Sequence, residues 1–237
     1  MQDTSGFVHY QDILDDVNHW FEAKLVIDGV GTFLESDGLF GVDTNAFLFQ
    51  NTPKLGTAAS AEITVSILNP DAEIPPMACL RPFVRPCNEA YPDEPYWLPQ
   101  GVFYVDTREI TQNDDGLDVI TMHGYDAMLK AEQLYNGRIT GDSIDILMVQ
   151  EIAYQLGVDV DARTFTLMNS GYTVPFPTGY TYREVLGYIA SMYAGGFVMS
   201  DVGELRLVTI YELPPETNYL IDQVGDAITF GGDRILV

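Results

Sequence analysis

The sequence predicts an α+β protein, with a β-rich first part that gives way to a mixed α/β part near residue 124. Up to about Tyr125 the apolar residues recur with a period of two between turn residues, which is typical of half-buried strands. After Gly124 the apolar period lengthens to three or four residues, which indicates helices. With 46% hydrophobic residues, the 237-residue chain can bury an ordinary globular core.

Two strand candidates open the β-rich part. Residues 22–28 form a strand-like run that is followed by glycines at positions 29 and 31. Residues 61–68 alternate polar and apolar side chains and stop at the turn sequence Asn69-Pro70-Asp71. Both patterns predict strands that bury one face only.

The middle of the β-rich part combines a proline-rich stretch with a hairpin. Residues 73–99 carry seven prolines, and because proline cannot donate to a ladder, we expect this stretch to form an arm on a sheet edge or in loops. Strand candidates at 101–106 and 117–122 then flank the polar turn 112–116. That arrangement predicts a β-hairpin.

Two helices are predicted directly after Gly124. Residues 125–131 have the pattern of a short helix. A longer helix spans about residues 143–156, since its apolar residues fall on one face and Gly157 follows as a stop signal.

The third predicted helix has the clearest start signal in the chain. Thr181 stands as N-cap with Glu184 three residues later, which is a capping box, and Tyr180 is placed to staple onto Val185. Gly195-Gly196 is expected to end the helix. These local signals predict a helix that begins at a defined residue.

A second hairpin and an apolar end complete the pattern. Residues 197–200 and 204–208 predict a hairpin around the turn 201–203. Beyond a linker at 214–217 the sequence stops on the strand-like run 232–237. Because an apolar strand is an unusual end, we expect the chain to be a fragment, or its end to be completed by another chain.

The charge balance excludes some classes of partner. The 11 Lys and Arg residues against 35 Asp and Glu give a formal net charge of −24, which would repel phosphate backbones and argues against a nucleic-acid partner. The acidity either keeps the protein soluble and apart from its copies until assembly, or docks a basic partner or divalent cations. Residues 1–6 hold no basic residue before an apolar run, and no apolar stretch reaches about 18 residues, so neither a secretory signal nor a membrane helix is predicted. A soluble protein made in the cytoplasm is expected.

The two cysteines, Cys79 and Cys87, are too few for a disulfide scaffold and lack the neighbours of a zinc site. We expect free thiols. If residues 81–85 formed a turn between paired strands, the two cysteines would instead be placed to form a bridge.

Motifs for catalysis, cofactors or metals are not found. The histidines His9, His19 and His123 have no metal-ligand spacing, and His123 beside Asp126 has no nucleophile to activate. The sequence contains no phosphate-binding loop, and Gly195-Gly196 follows a helix rather than preceding one. No catalytic residue, cofactor or metal is therefore predicted, and the chain is not expected to be an enzyme.

Two weaker signals leave alternatives open. Carboxylates that occur close together in the sequence, such as Asp159 and Asp161, allow a carboxylate-based hydrolase by count alone. Aromatic residues set among prolines allow a cell-wall polysaccharide-binding module, with Tyr91, Tyr96 and Trp97 as candidate contacts to a glycan or to a partner chain. Core packing is the commoner role of such residues.

The order of signals over residues 96–208 resembles a known family. An aromatic-rich strand follows Pro99 and Gly101, and a hairpin closes on Gly124-Tyr125-Asp126. The two later helices and the hairpin that opens at Gly195-Gly196 follow in the same order. The series is similar to the amino-terminal part of phage tail-tip and baseplate hub proteins, including tail-associated endopeptidase-type proteins of siphophages and prophages.

This resemblance implies a fold and an assembly. It implies a β-barrel-like domain at 1–124 with a proline-rich arm at about 73–99, an inserted α/β domain at 125–212, and at 213–237 a linker and the first strand of a second β-barrel-like domain. Three copies would form a hub ring, a homotrimer that continues the tail tube and carries receptor-binding or lytic parts. The implied partners are the tail tube or distal tail protein and a downstream spike, fibre or lytic domain, with DNA passing through the ring unbound. The implied location is the virion tail, after assembly in the host cytoplasm.

Overall fold

The structure, a computed structural model, describes residues 4, 6–46, 55–70, 72–93, 95–112, 115–168 and 171–209, and the backbone of 229–230 and 233–234. In chain order the strands are β1 (Trp20–Ile27), β2 (Gly31–Leu34), β3 (Leu39–Asn45), β4 (Thr57–Ala58), β5 (Glu62–Leu68), β6 (Cys79–Cys87), β7 (Leu98–Pro99), β8 (Phe103–Gln112), β9 (Asp118–Asp126), β10 (Ser143–Ile144), β11 (Thr173–Val174), β12 (Gly195–Met199), β13 (Leu205–Thr209), β14 (Thr229–Phe230) and β15 (Asp233–Arg234). The α-helices are α1 (Tyr10–Leu14), α2 (Asp145–Leu156), α3 (Ala162–Leu167) and α4 (Tyr182–Met192), and short 3-10 helices lie at Glu35–Asp37 and Ala127–Glu132.

The main sheet holds the first hydrophobic core. Among the described residues, eight antiparallel strands pair in the order β2-β1-β6-β8-β9-β5-β3, with β7 added beside β6. Alternate residues such as Leu25, Ile63 and Met122 are buried on the inner face. The sheet curls until Cα atoms of β1 and β3 lie within 8 Å, but in the described part its end strands do not pair, so it is not a closed barrel. The predicted α+β class is confirmed.

Strand β6 corrects the expectation that prolines keep residues 73–99 on an edge or in loops. It lies inside the sheet, paired with β1 along its whole length. The Asp28 N–H donates to the Cys79 carbonyl at 3.0 Å, and because bonding direction alternates along a strand, Pro82 and Pro86 lack their N–H on the side away from β1. In the described part that side meets β8 only over the first residues of β6 and then the short β7. Pro82 and Pro86 therefore remove few backbone hydrogen bonds from the sheet.

The two cysteines lie at the first and last of the 9 residues of β6. Since a strand rises about 3.3 Å per residue, their Cα atoms are about 26 Å apart, far beyond disulfide reach. Both cysteines are free thiols, as expected, and the alternative of a bridge across a turn is wrong.

The second layer packs helices on a small sheet. In the described part this sheet has the order β13-β12-β4, and β4 runs parallel to β12 although it comes from the first part of the chain. Helices α2 and α4 bury one face each in the second hydrophobic core. That core includes the side chains of Met148, Ile152, Leu156, Leu186, Ile189, Phe197, Leu205 and Leu207.

The helix predicted at 143–156 is confirmed as α2, and Gly157 ends it in the left-handed conformation with φ 76°. The predicted helix at 125–131 is wrong in part, because Tyr125 and Asp126 still belong to β9 and a 3-10 helix follows at Ala127–Glu132. Both hairpins are confirmed, as β8–β9 and β12–β13.

Helix α4 begins where predicted and ends earlier. The Thr181 hydroxyl accepts from the Glu184 N–H at 3.1 Å, and the Glu184 carboxylate accepts from the Thr181 N–H at 2.8 Å, so the capping box is confirmed. The helix stops at Met192, and Gly195 opens β12 rather than ending the helix. A Cβ on Gly195 would lie 2.3 Å from the Val208 carbonyl oxygen, so this glycine allows β13 to approach closely.

Replacing Thr181 by alanine is expected to lower the free energy of unfolding by about 1 kcal/mol, because the Glu184 N–H loses its acceptor. Urea denaturation followed by circular dichroism measures the change. The matched control is Thr178→Ala, an exposed threonine just before the helix, which is expected to leave stability unchanged. Equal losses in the two variants would contradict a capping role.

The linker predicted at 214–217 lies outside the described residues. Of the apolar end predicted at 232–237, only the backbone of 233–234 is described, and backbone is also described at 229–230. There β14 and β15 pair as an antiparallel two-stranded sheet.

Candidate functional site

The aromatic residues predicted to contact a glycan or a partner do not form one patch. The Tyr91 ring stacks on His9 with centroids 4.0 Å apart, and the Tyr96 ring meets Phe7 edge-on at 5.7 Å. Both tyrosines thus pack against the N-terminal segment in a small buried cluster. Trp97 lies elsewhere, against side chains of β1 and β6. Whether any of the three contacts a glycan or a partner stays a prediction.

Alternation along the chain explains this separation. Leu98 pairs with Val84 and packs in the buried cluster, so Trp97, one residue earlier, faces the other way. The Lys24 ammonium and the Arg85 guanidinium each lie 4.5 Å from the Trp97 ring centroid. Trp97 is therefore the centre of a cation–π cluster on the outer face of the sheet.

A cleft of about 490 Å³ opens beside the main sheet and the second layer. Its lining includes Tyr104 and Tyr154 and two carboxylates, those of Asp159 and Glu204. Cations cover both rings, since Lys130 lies 4.3 Å from the Tyr104 centroid and Arg138 lies 4.0 Å from the Tyr154 centroid. Asp159 and Glu204 are therefore the residues on which the alternative of a carboxylate-based hydrolase can be tested.

Among the described residues, no group of three or more His, Cys, Asp or Glu side chains is arranged to hold a metal ion. Within the same residues, no helix has both the length and the apolar character needed to cross a membrane.

His123 and Asp126 do not form the pair that their spacing suggested. His123 is exposed and its Nδ1 hydrogen-bonds Thr64 Oγ1 at 3.0 Å. Asp126 is buried, and its carboxylate accepts from the N–H groups of Ala61 at 2.7 Å and Met128 at 2.9 Å. Asp126 therefore ties the end of β9 to the segment that enters β5.

Arg183 of α4 completes this junction between the two layers. Its guanidinium donates to the carbonyls of Ala58 and Met128 and to the Ser60 hydroxyl, and it pairs with the carboxylate of Glu132. We use the word junction for Ala58, Ser60, Ala61, Asp126, Met128 and Arg183. The junction fixes α4 to the strands on either side of the change of layer.

Burial raises the pKa of Asp126 from 3.8 to about 6, although two backbone N–H groups and the Arg183 charge oppose the rise. Because the folded-state pKa lies above the unfolded one, the folded protein holds this proton at a pH where the unfolded chain has lost it. The resulting stabilisation is complete at acidic pH and is lost as pH rises through about 6.

Asp126→Asn removes this titration. Relative to Asp126→Asn, the wild type is expected to lose about 3 kcal/mol of unfolding free energy as the pH rises from about 4 to about 7. Urea denaturation at several pH values measures it, with the exposed Asp43→Asn as the matched carboxylate-to-amide control. A difference that does not change with pH, or that moves the other way, would contradict the buried titration.

No protein-family model matches this sequence, and no curated protein matches it either. Solved structures do. The 43 kDa tail protein of prophage MuSo2 from Shewanella oneidensis matches with a TM-score of 0.54 and 13% identity, over 80% of this chain and 53% of that one. The tail protein from Neisseria meningitidis MC58 matches with a TM-score of 0.53 and 10% identity, over 88% of this chain and 53% of that one.

The chain has the fold of phage tail proteins. The resemblance seen over residues 96–208 is thereby confirmed at the level of fold. This chain spans about half the length of the two tail proteins that it matches.

Sequence reasoning missed the junction of this tail-protein fold. Arg183 lies inside the capping-box helix, where an arginine looks like a surface residue. Its contact with Ala58 joins positions separated by 125 residues. The one available signal was Gly124-Tyr125-Asp126, where an acidic residue ends an otherwise apolar strand.

Proposed function

We propose that this chain is a structural component of a phage or prophage tail tip, a subunit of the baseplate hub ring that continues the tail tube and carries receptor-binding or lytic parts. The tail-protein fold, found over 80% and 88% of the chain in two comparisons, is the observation that supports this role. A role without enzymatic turnover is part of this proposal, because the two similar solved structures are described as tail proteins.

The proposal extends to the assembly. The chain forms a homotrimer, binds the tail tube or distal tail protein on one side, and carries a spike, fibre or lytic domain on the other. The net charge of −24 suits a lumen through which DNA slides without binding. The protein is assembled in the host cytoplasm and resides in the virion tail. We keep the division into units at 1–124, 125–212 and 213–237 as part of this proposal, with a second barrel-like domain beginning in the last.

Size-exclusion chromatography with light scattering, followed by electron microscopy, tests the ring. A trimer with a central opening is expected, and antibodies against the chain should label the tip of purified tails. A chain that stays monomeric at high concentration and is absent from purified tails would contradict the proposal.

The hydrolase alternative rests on Asp159 and Glu204 in the cleft and is tested separately. Incubation with peptidoglycan or capsular polysaccharide is expected to release no reducing sugar. Release that disappears in Glu204→Gln would instead establish a hydrolase.

A further inference from the structure

The outer face of β1 and β6 gathers the residue types that dominate protein interfaces. Both tryptophans of the chain are there, with one other aromatic ring and three cations. Lys24 of β1 pairs with Phe83 of β6. Because side chains alternate along a strand, the even-numbered residues of β1 and the odd-numbered residues of β6 share this face. Tryptophan and arginine are the residues most enriched at interface hot spots. We name the following set the tryptophan face: Trp20, Lys24, Arg81, Phe83, Arg85 and Trp97.

One cation of the tryptophan face has no counter-charge among the described residues. Arg81 pairs with Asp28 at 3.1 Å and Arg85 pairs with Glu22 at 2.7 Å. The Lys24 ammonium lies 4.5 Å from the ring centroids of Phe83 and Trp97, and no carboxylate of the described residues pairs with it. Burial, and then the charge of Arg85, lower the pKa of Lys24. Among the described residues this ammonium has no counter-charge, and a carboxylate from another molecule would supply one.

A second surface offers the complementary chemistry. The β8–β9 hairpin beyond Val105 is exposed at residues 106–112 and 115–118, and we name these residues the acidic arm. It presents the carboxylates of Asp106, Glu109, Asp115 and Asp118. It also presents two apolar side chains, Ile110 at 59% and Leu117 at 48% exposure. Among the described residues of the acidic arm the cation is Arg108, and its guanidinium donates to the Ile74 carbonyl.

The arm and the face lie toward opposite ends of the sheet. Strand β8 pairs antiparallel with β6 at Cys79 and Leu80, and from there β8 runs on away from Arg85. The acidic arm lies away from the tryptophan face of its own chain, so a contact between the two surfaces requires a second copy.

We propose that the acidic arm of one copy docks on the tryptophan face of the next copy. This inference rests on the ring proposed above and assigns its contact surfaces. A carboxylate of the arm supplies the counter-charge of Lys24, while Ile110 and Leu117 pack on the tryptophan rings. Since the two surfaces differ, the contact is head-to-tail, the type of contact that closes into a ring.

Two sets of substitutions test the contact in the full chain. The face variant is Trp20→Ala with Lys24→Glu, and the arm variant is Glu109→Lys with Asp118→Lys. Each variant alone is expected to lose self-association by about tenfold or more, as measured by light scattering over a concentration series. An equimolar mixture is expected to form dimers and no rings, because one intact arm and one intact face remain to pair.

Controls separate this contact from unfolding and from net charge. Glu35→Lys with Asp37→Lys makes the same charge change at exposed positions outside the arm, and Tyr188→Ala removes an exposed ring from α4. Both controls are expected to assemble like the wild type. Lys24→Gln, which keeps most of the side chain and removes the charge, is expected to weaken assembly in a chain with unchanged circular dichroism.

The possible failures are distinguishable. A wild-type ring that neither variant set weakens would overturn this inference, would leave the hub proposal intact, and would assign the tryptophan face to a different tail component. A wild type that stays monomeric at every concentration would overturn both. Variants that dissociate alone and also fail to pair when mixed would overturn the arm-to-face contact.

Discussion

Arg183→Ala is expected to lower the free energy of unfolding by about 3 kcal/mol. The guanidinium donates to Ser60 Oγ and to the Met128 carbonyl, each at 2.9 Å, and to the Ala58 carbonyl. Truncation leaves these acceptors without their donor at a site where water has little access. It also removes the charge that partly stabilises the ionised form of Asp126.

Urea denaturation followed by tryptophan fluorescence and by circular dichroism measures this loss. Arg81→Ala is the matched control, because its ion pair with Asp28 is about half exposed on both sides and is expected to contribute less than about 1 kcal/mol. If the two arginine variants lose equal stability, the junction does not hold the layers together. If the two probes report separate transitions only in Arg183→Ala, the layers have come apart before either unfolds.

The start of α4 was predictable because its signal is local. The capping box needs only Thr181 and Glu184, three residues apart, and no tertiary contact. Arg183 stands between them, yet its partners come from two other parts of the chain, residues 58–60 and Met128. Short-range patterns therefore locate the helix, whereas the interaction that docks the helix depends on the completed fold.

Proline and glycine were harder to interpret, since each has more than one structural use. Pro82 and Pro86 are tolerated inside the sheet because their missing N–H groups face the side where β6 has few ladder partners. Gly195 allows two strands to approach, although its place after a helix suggested a stop signal. Sequence shows that such a residue is present, and only the neighbouring strand shows which use applies.

The candidate contact residues do not share one surface, and the reason is simpler. Nearness in sequence suggested that Tyr96 and Trp97 share a surface, but successive residues of an extended segment face opposite sides. The N-terminal segment, about 90 positions away, then covers Tyr91 and Tyr96. Trp97 instead finds Lys24 and Arg85, which the pairing of β1 with β6 brings beneath it.

Gly124→Ala is expected to lower the free energy of unfolding by about 3 kcal/mol, because a Cβ at this position would lie 2.4 Å from the Tyr104 carbonyl oxygen. Gly124 pairs with Val105, where the register of β8 shifts by one residue. Neighbouring strands hold this backbone from both sides, since β9 lies between β8 and β5. The clash therefore cannot be relieved by rotating a flexible side chain, and the bulge itself must move.

Gly41→Ala is the control, since Gly41 also follows a register shift in the same sheet and has no atom within 4 Å of an added Cβ. Alanine there is expected to change stability by less than about 1 kcal/mol, in the stabilising direction if it changes at all. Thermal and urea denaturation of both variants, side by side, separate the contribution of close backbone approach from that of glycine as such. Equal effects would show that the bulge opposite Gly124 yields easily. A selective loss in Gly124→Ala would explain why glycine precedes Tyr125-Asp126 at the end of β9, where the chain leaves the main sheet for the junction.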